Sequence, residues 1–226
     1  MNMDYVGSEL ELFKNAHNWK RYFSGKISNH IRGDVLEVGS GICANTNFLK
    51  NDNVSSWTCL EPDQNLINEV AKRDSDINFI NGTINDLSSN QKFDTIIYID
   101  VLEHIEEDSK EVINSYNLLK DGGELIVLSP SYQYLFSPFD SSVGHFRRYD
   151  KGSISKLHPQ ATPVKCFYLD SLGVLLSLAN KLILKSGSPT HQQIQFWDRV
   201  VVLVSKFLDK IIGYSFGKSI VCIWKR

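Results

Sequence analysis

Short apolar runs alternate with amphipathic segments over the first 130 residues of the chain. The apolar runs are rich in Val, Ile and Leu, whereas the segments between them repeat their apolar positions every three to four residues. Strands that alternate with helices in this way are typical of a mostly parallel sheet with helices on both faces. The predicted strands are DVLEVGS from residue 34, SWTCLEP from 56, INFINGT from 77, KFDTIIYIDV from 92 and ELIVLSP from 124.

The same pattern predicts how the chain begins and ends. Apolar residues at helical intervals over 1–32 predict a leading amphipathic helix or helix pair. EEDSKEVINSYNLLKDGG, from residue 106, predicts a helix that closes on a glycine pair. VKCFYLD from 164 and KSIVCIWKR from 218 predict two further strands. The prediction is therefore a single α/β domain over 1–226, with a seven-stranded and mostly parallel sheet.

Two apolar helical segments, 171–184 and 194–212, are predicted between the last two strands. The second carries an apolar stripe, which predicts a helix packed on the sheet. Because Val202 and Leu203 widen the stripe, a dimer contact or a lipid-facing surface stays open, and so does the choice between monomer and homodimer. The stripe consists of Trp197, Val200, Val201, Val204, Phe207, Leu208, Ile211 and Ile212.

Composition and charge argue against several classes of protein. The chain has 226 residues, with 24 Lys and Arg against 26 Asp and Glu, and it has no block of like charges, so nucleic-acid binding is not expected. The four cysteines lie far apart without metal-binding spacing, as is typical of reduced thiols in a cytoplasmic protein. The first residues do not resemble a secretory signal, and no apolar run approaches the roughly 18 residues of a membrane-spanning helix. We therefore expect a soluble, cytoplasmic protein.

The segment VLEVGSGICANTNFL, residues 35–49, combines a buried strand, a glycine turn and the start of a helix. Glycines at such a turn let the backbone approach a nucleotide-like ligand closely. Gly39 and Gly41 match the dinucleotide-binding fingerprint, and Glu61 follows about twenty residues on, where that motif places its ribose-binding acid. Glu37 is a carboxylate inside the apolar strand, which is costly unless a ligand or backbone donors satisfy it. A NAD-binding dehydrogenase stays an alternative at this point.

Five segments together resemble the class I S-adenosylmethionine-dependent methyltransferases. They lie in the expected order within residues 33–130: VLEVGSG, LEP, NGTIND, FDTIIYIDVLEHI and LLKDGGELIVLSP. The resemblance implies a Rossmann-like methyltransferase fold with S-adenosylmethionine as cofactor and S-adenosylhomocysteine as product. It divides the chain into an N-terminal helical lid (1–32), a cofactor-binding core (33–130), and a part with the acceptor loop, a helical insertion and the last strands (131–226). The tail segments FRRYDKGSI, FYLDSLGVLL and FGKSIVCIWK resemble bacterial members associated with surface-polysaccharide gene clusters.

The resemblance also implies which residues contact the cofactor. Gly39 and Gly41 would pass the backbone beneath its methionine and ribose portion. Glu61, with Pro62 beside it, would accept hydrogen bonds from both ribose hydroxyls. Glu37 would belong to the network around the amino end of the methionine.

Two more acidic residues complete the implied cofactor site. Asp86 matches the acidic position of the adenine loop, and Asp100 matches a position that faces the methionine end. The chain departs from the family pattern at Cys43, where a glycine is usual, and at Thr83, where an aspartate is common. A tighter turn and a weaker polar contact to adenine would follow.

The acceptor site is expected in the polar and aromatic segment 129–150, which leaves the carboxyl end of the fifth strand. A hydroxyl acceptor must lose its proton, so a base is needed there. His145 in this segment and His104 after the fourth strand are the candidate catalytic residues, with a structural role open for each. Tyr132 and Tyr149 are candidates to line the acceptor pocket, although aromatic residues in loops are often packing anchors.

Arg147 and Arg148 are adjacent, so on an extended loop their side chains point in opposite directions. One is expected to clamp an anionic group of the acceptor through its planar guanidinium. The other is expected to pair with Asp140 or Asp150. A solvated basic pair without a binding role stays open.

The function expected from these features is methyl transfer to a hydroxyl of a small or glycan-like acceptor, in bacterial surface-polysaccharide biosynthesis. A methyltransferase directed to nitrogen, carboxylate or phosphate is one alternative, and a cofactor-binding but catalytically silent partner subunit is another. Peripheral contact with a lipid would follow if the acceptor were lipid-linked. No metal ion is expected, because no acidic cluster is recognisable beyond the cofactor positions.

Overall fold

A seven-stranded sheet forms the centre of the protein, in the order β3-β2-β1-β4-β5-β7-β6. The computed structural model describes residues 9–72, 76–181 and 189–226. The first five strands pair in parallel, and β7 is antiparallel to both β5 and β6. This confirms the predicted α/β fold. The strands are β1 (Gly33–Val38), β2 (Val54–Glu61), β3 (Asn78–Asn81), β4 (Phe93–Ile99), β5 (Leu119–Pro130), β6 (Lys165–Leu169) and β7 (Ser219–Lys225).

Helices cover both faces of the sheet because successive strand residues point to opposite sides. Val35 of β1 packs on one side with Trp19 and Phe23, whereas Leu36 packs on the other side with Val112. The helices are α1 (Glu9–Phe13), α2 (His17–Ile27), α3 (Thr46–Leu49), α4 (Gln64–Val70), α5 (Asp108–Asn117), α6 (Pro138–Ser142), α7 (Lys151–Ile154), α8 (Ser171–Ala179), α9 (His191–Phe196) and α10 (Val202–Ile211). The helix pair α1 and α2 lies where a leading helical segment was predicted, and residues 1–8 are outside the described residues.

The helix predicted over 106–123 is shorter than expected. It ends at Asn117, and the segment from Leu119 onward belongs to β5. Leu119 pairs with Phe93 of β4, and the register then shifts before Thr95. Pairing with the neighbouring strand and burial of Leu119 therefore override the local helical pattern.

The helical insertion between β6 and β7 buries a different side from the one predicted. Between α9 and α10 the helix continues through a π turn, Trp197–Val201. Trp197 and Val201 are buried, but Phe207 and Ile211 are 67% and 65% exposed. Of the segment predicted as helix over 171–184, residues 182–184 lie outside the described residues.

A buried carboxylate explains why this helix turns a polar side inward. The Asp209 side chain is fully buried and accepts a hydrogen bond from the Tyr22 hydroxyl at 2.7 Å. It also accepts from the backbone N–H groups of Asp170 at 2.7 Å and Ser171 at 3.0 Å, where α8 begins. These bonds satisfy free N–H groups at a helix start, which an apolar side chain cannot do.

Within the described residues, no helix has the length and apolar character needed to cross a membrane. The four cysteines are free thiols. The Sγ atoms of Cys43 and Cys59 lie 3.7 Å apart, next to the glycine turn after β1.

Candidate active site

The turn after β1 requires glycine at two positions. Gly39 and Gly41 have φ angles of +64° and +54°, in the region that residues with a β-carbon avoid. A β-carbon on Gly39 would stand 2.7 Å from Cγ2 of Val101, and one on Gly41 would stand 3.3 Å from Cδ2 of Leu10 in α1. Cys43, where the family has glycine, has a φ of +54°. The chain thus turns back sharply beneath the N-terminal helix, as expected for a close approach to a ligand.

Glu61 ends β2 and is bound to the edge of this turn. Its Oε2 accepts from the backbone N–H of Gly41 at 2.8 Å, and its Oε1 accepts from that of Asp63 at 3.0 Å. Burial raises the pKa of the Glu61 carboxyl. Each of these oxygens has a second lone pair, so the carboxylate can still accept from two hydroxyl donors. Pro62 follows directly, and its carbonyl accepts from the Asn81 side chain at 2.9 Å.

Asp86 shapes the loop after β3. Its Oδ2 accepts from both the backbone N–H and the hydroxyl of Thr83, each at 2.8 Å. The bond from the Thr83 backbone lowers the pKa of the Asp86 carboxyl. Thr83, where the family commonly has aspartate, therefore serves as the hydrogen-bonding partner of Asp86.

Asp100 follows β4 in a left-handed conformation, with a φ of +53°. Its backbone N–H donates to the Leu128 carbonyl at 2.8 Å, which holds the residue against β5. The residue is exposed to solvent. The surrounding protein desolvates the carboxylate and raises its pKa to about 6.

Glu37 lies beneath the glycine turn with an exposed fraction of only 3%. Its Oε2 accepts from the Thr46 hydroxyl at 2.6 Å and from the Trp57 indole at 3.0 Å. Burial raises the pKa of this carboxyl to about 7. The buried carboxylate is thus satisfied by protein donors, and its contact with the amino end of the cofactor stays a prediction.

The residues present fit S-adenosylmethionine. Carboxylates follow three strands at the carboxyl edge of the sheet: Glu61, Asp86 and Asp100. Acceptors of this kind suit the hydroxyl and amino groups of the cofactor, and their negative charge suits its sulfonium. Gly39 and Gly41 carry no side chains, so the backbone of the turn is open to close approach by the cofactor.

One buried carboxylate, Asp140, organises the acceptor loop. Its oxygens accept from Nε and Nη2 of Arg148 at 2.7 and 2.9 Å. Its Oδ1 also lies 2.9 Å from Nδ1 of His145. Burial alone would raise the pKa of Asp140, but hydrogen bonds from His145 and Arg148 hold it below its usual range. Arg148 is therefore the arginine that pairs with Asp140, one of the two partners predicted.

The second arginine, Arg147, does not reach the same side of the loop. Its Nη1 lies 2.6 Å from Oδ2 of Asp108, and its Nη2 donates to the Glu106 carbonyl at 2.9 Å. A clamp on the acceptor is therefore not supported for Arg147. Arg148 retains a buried Nη1 without a hydrogen-bond partner among the described residues, so it is the arginine that can still bind an anion.

The two predicted pocket tyrosines have different surroundings. Tyr149 is 2% exposed, and its hydroxyl donates to Asp108 at 2.8 Å, so it is a packing anchor and not a pocket wall. Burial raises the pKa of its phenol. Tyr132 stacks between Tyr134 and Tyr168, with ring centroids 5.2 and 5.0 Å away, and is partly exposed.

The ends of β4 and of the acceptor loop meet in a histidine–carboxylate cluster, formed by Asp100, Glu103, His104 and His145. The rings of His104 and His145 are 4.5 Å apart and nearly perpendicular. Nε2 of His145 lies 3.9 Å from Oε1 of Glu103. Burial lowers the pKa of His104 to about 4, and burial and Asp100 raise that of Glu103 well above its usual range. The structure thus brings both predicted catalytic histidines together.

Two residues of this region were not found from the sequence. Glu103 precedes His104 in the motif LEHI, and this adjacency to a candidate catalytic histidine could have identified it from the sequence. Lys218 precedes β7, and its Nζ lies 4.8 Å above the Trp197 ring. Burial lowers the pKa of Lys218, and the fields of Asp170, Arg148 and Asp100 act on it. Only the pairing of β7 with β5 brings it here, so no local pattern could reveal it.

Comparison with known proteins agrees with this site. Residues 36–127 match the family model described as a methyltransferase domain. A "Ubiquinone biosynthesis O-methyltransferase" of Rickettsia canadensis is 27% identical over 144 residues, covering 53% of this chain and 61% of that protein. The chain thus spans about three fifths of the length of such curated relatives.

Solved structures show the same fold. The N-methyltransferase NodS of Bradyrhizobium japonicum, with S-adenosylhomocysteine bound, has a TM-score of 0.59 and 15% identity, covering 99% of this chain and 93% of NodS. The [4+2]-cyclase SpnF has a TM-score of 0.63 and 14% identity, covering 98% of this chain and 94% of SpnF.

The fold, the carboxylates at its edge and the match over residues 36–127 agree on a methyltransferase domain of the S-adenosylmethionine-dependent kind in this part of the chain. Residues 36–127 of this chain form the methyltransferase domain, and its cofactor is S-adenosylmethionine.

Proposed function

We propose that the protein transfers a methyl group from S-adenosylmethionine to a hydroxyl of a small or glycan-like acceptor. One observation carries the proposal: the histidine–carboxylate cluster, where the end of β4 meets the acceptor loop, includes Asp100, which is also a residue of the predicted cofactor site. When bound, the cofactor supplies a methyl carbon whose bond to sulfur breaks, with the electron pair left on sulfur. A hydroxyl oxygen that bonds to this carbon must release its proton, and the cluster provides the groups for that.

The chain's own residues position the two reactants. Gly39 and Gly41 admit the cofactor to the backbone, and Glu61 accepts its ribose hydroxyls. Asp100 would bind its methionine end, and His104 and His145 lie in the same cluster as Asp100. Such alignment is the main source of rate in an in-line displacement.

Transfer to oxygen is supported by the name of the curated relatives, "Ubiquinone biosynthesis O-methyltransferase". A glycan acceptor and surface-polysaccharide biosynthesis are supported by the tail segments alone. A cytoplasmic location is supported by the four free cysteines. The unpartnered Nη1 of Arg148 and the nearby Lys218 favour one alternative, an acceptor with a carboxylate or phosphate. Transfer to nitrogen is a second alternative, supported only by the likeness to NodS.

A catalytically silent partner subunit is a candidate from a different class. This candidate is supported by the likeness to SpnF. SpnF is named for a cyclisation, so the same fold also occurs in a protein named for chemistry other than methyl transfer. A silent subunit would bind the cofactor without consuming it.

The exposed apolar face of α9 and α10 supports a lipid-linked acceptor. Phe196, Leu203 and Phe207 are 55%, 51% and 67% exposed. Lys206 and Lys210 stand beside them on the exposed part of α10. An apolar face with basic neighbours is typical of helices that lie on a membrane surface. The alternative for this face is contact with a second copy of the chain, so monomer and homodimer both stay open.

Methyl-labelled S-adenosylmethionine tests the proposal with acceptors of each chemical type: nucleotide sugars, phenols, amines and carboxylic acids. We expect S-adenosylhomocysteine release with a hydroxyl acceptor and a labelled product that resists mild alkali, as an ether does. A label released by alkali would indicate an ester and favour the carboxyl alternative. No release with any acceptor, despite cofactor binding, would favour the silent subunit.

A further inference from the structure

The Glu103 side chain is fully buried, and neither of its carboxylate oxygens has a hydrogen-bond partner among the described residues. The neighbouring polar group is the Ser129 hydroxyl, whose interaction with the carboxyl lowers the pKa of Glu103 but does not offset the effect of burial. An unsatisfied carboxyl in a protein interior is costly, and such sites call for an explanation such as a bound ion. Because Oε1 of Glu103 faces Nε2 of His145 at 3.9 Å, the orphan group is directed at other metal-ligating atoms.

We propose that Glu103, His104 and His145 bind a divalent transition-metal cation. One ligand atom from each of these three side chains lies within 4.8 Å of the others. Ligands of a tetrahedral site with bonds of about 2.1 Å stand about 3.3 Å apart. Side-chain shifts of about 1 Å would therefore close the site, and no backbone movement is needed.

Both imidazoles are oriented for this role. Nδ1 of His145 is engaged by Asp140 at 2.9 Å, which leaves Nε2 with its lone pair toward Glu103. Nδ1 of His104 faces the backbone of Gly144, 3.8 Å from where a β-carbon on that glycine would stand. Metal-bound histidines usually have such a carboxylate or backbone group behind the second ring nitrogen, because it sets the tautomer.

The charge around the cluster favours a cation. Arg148 is neutralised by its bidentate pair with Asp140. In the part of the chain that the structure describes, Lys218 is a further cationic side chain whose field acts on the Asp100 carboxylate. Two imidazoles and a carboxylate suit Zn²⁺, Mn²⁺ or Fe²⁺ better than Mg²⁺ or Ca²⁺, which prefer oxygen ligands throughout. The earlier expectation of no metal ion is therefore revised.

A role for the cation follows if the proposed function holds. Three protein ligands leave coordination positions open, and a hydroxyl placed there would have a lowered pKa. Its proton would pass to Asp100, which is exposed to solvent. The oxygen lone pair would form the bond to the methyl carbon as the carbon–sulfur bond of the cofactor breaks and leaves its electron pair on sulfur. His104 and His145 would then act as ligands and not as the base.

The test is metal binding by the full chain, freed of metal with a chelator. Calorimetric titration with ZnCl₂ and with MnCl₂ should show one cation per chain. Glu103→Gln and His145→Gln should each weaken binding at least tenfold. The matched control His191→Gln, an exposed histidine at the start of α9, should bind as the wild type does. No binding by the wild type, or equal binding by the cluster variants, would overturn the proposal.

Cobalt substitution keeps the test valid if a variant fails to fold. Co²⁺ in the wild-type chain should show the visible bands of a nitrogen- and oxygen-ligated site. A thiolate charge-transfer band would place the cation at the cysteines instead and contradict the assignment. Titration with S-adenosylhomocysteine separates the two proposals: if it binds while the metal does not, the metal site fails and the proposed function stands.

Discussion

Nδ1 of His145 lies 2.9 Å from Oδ1 of Asp140, and both side chains belong to the acceptor loop. The same carboxylate forms a bidentate pair with Arg148. One fully buried group therefore fixes the imidazole, the guanidinium and the loop between them. The account makes Asp140 a positioning residue, which contacts neither cofactor nor acceptor.

Replacement of this carboxylate tests that role. Asp140→Asn removes the charge but keeps the size, so the buried Arg148 loses its counter-ion. We expect a loss of unfolding free energy of about 3–5 kcal/mol in urea denaturation. Methyl transfer should fall at least 100-fold, with S-adenosylhomocysteine affinity within twofold of wild type. Asp121→Asn, at a fully exposed position, is the control. A stable variant with wild-type turnover would remove Asp140 from the account.

Glu61 is predicted to dominate cofactor affinity. Glu61→Ala deletes the acceptor for both ribose hydroxyls and releases the backbone N–H groups of Gly41 and Asp63. Hydrogen bonds to a charged group contribute about 1.5–3 kcal/mol each, so we expect S-adenosylhomocysteine affinity to fall at least 100-fold in calorimetry. Glu107→Gln, on the exposed surface, should leave it unchanged. Unaltered affinity in Glu61→Ala would mean that the ribose lies elsewhere.

Two glycine variants separate the effect of backbone strain at a positive φ from the effect of a steric clash with a neighbouring side chain. Gly39→Ala combines a φ of +64° with a β-carbon 2.7 Å from Val101. Gly213→Ala has nearly the same φ, +62°, but open space around the new methyl group. We expect the control to lose about 1 kcal/mol of unfolding free energy and Gly39→Ala to lose more and to bind the cofactor poorly. Adding Val101→Ala should recover part of the stability. Equal losses for the two glycine variants would contradict the crowded turn.

Glu37 gives the protein a pH-dependent stability. Its pKa is raised from 4.5 to about 7, so the folded chain holds this proton more tightly than the unfolded chain does. The contribution of Glu37 to stability is therefore complete below pH 4.5 and is lost as the pH rises through 7.

Glu37→Gln has no proton to lose and can still accept from Thr46 and Trp57. Relative to wild type it should gain about 2–3 kcal/mol in unfolding free energy between pH 4.5 and pH 8. Urea denaturation across this range measures the difference. A difference that does not vary with pH would show that burial of this carboxylate carries no such cost.

The exposed face of α10 can be tested with vesicles. Phe207→Ser with Ile211→Ser removes two large apolar side chains, each worth about 1.5–3 kcal/mol of burial. Sedimentation with vesicles that contain anionic lipids should show at least tenfold weaker binding. Val164→Ser, 55% exposed on another part of the surface, is the control. If the double variant alters the mass of the particle in solution and leaves vesicle binding unchanged, the face is a contact between copies.

Local patterns were sufficient for the fold, whereas the roles of the cofactor-site residues came from the family resemblance and stay predictions. Gly39 could be predicted because a turn between a buried strand and a helix leaves few residues able to adopt its φ. Glu61 could be singled out because it follows the glycine turn by about twenty residues, where the nucleotide-binding motif places its ribose-binding acid. The one substantial error in the core, the helix continued to Gly123, arose where strand pairing by Leu119 outweighed the helical pattern.

The acceptor side depended on contacts that no local pattern records. The sequence does not distinguish Arg147 from Arg148. In the structure Arg147 pairs with Asp108, whereas Arg148 pairs with Asp140. Lys218 lies near the acceptor site only because β7, from the end of the sequence, pairs antiparallel with β5. The sequence did not predict that α10 buries a polar side. Asp209 accepts hydrogen bonds at the start of α8, and α8 is close to α10 only in the folded structure.

The central claim is that the carboxyl edge of this sheet binds S-adenosylmethionine. The most direct measurement is calorimetric titration of S-adenosylhomocysteine into the full chain, with NADH titrated in parallel. The account predicts one site of micromolar affinity for S-adenosylhomocysteine and no heat from NADH. Binding of NADH without binding of S-adenosylhomocysteine would contradict it and return the glycine turn to the dinucleotide alternative.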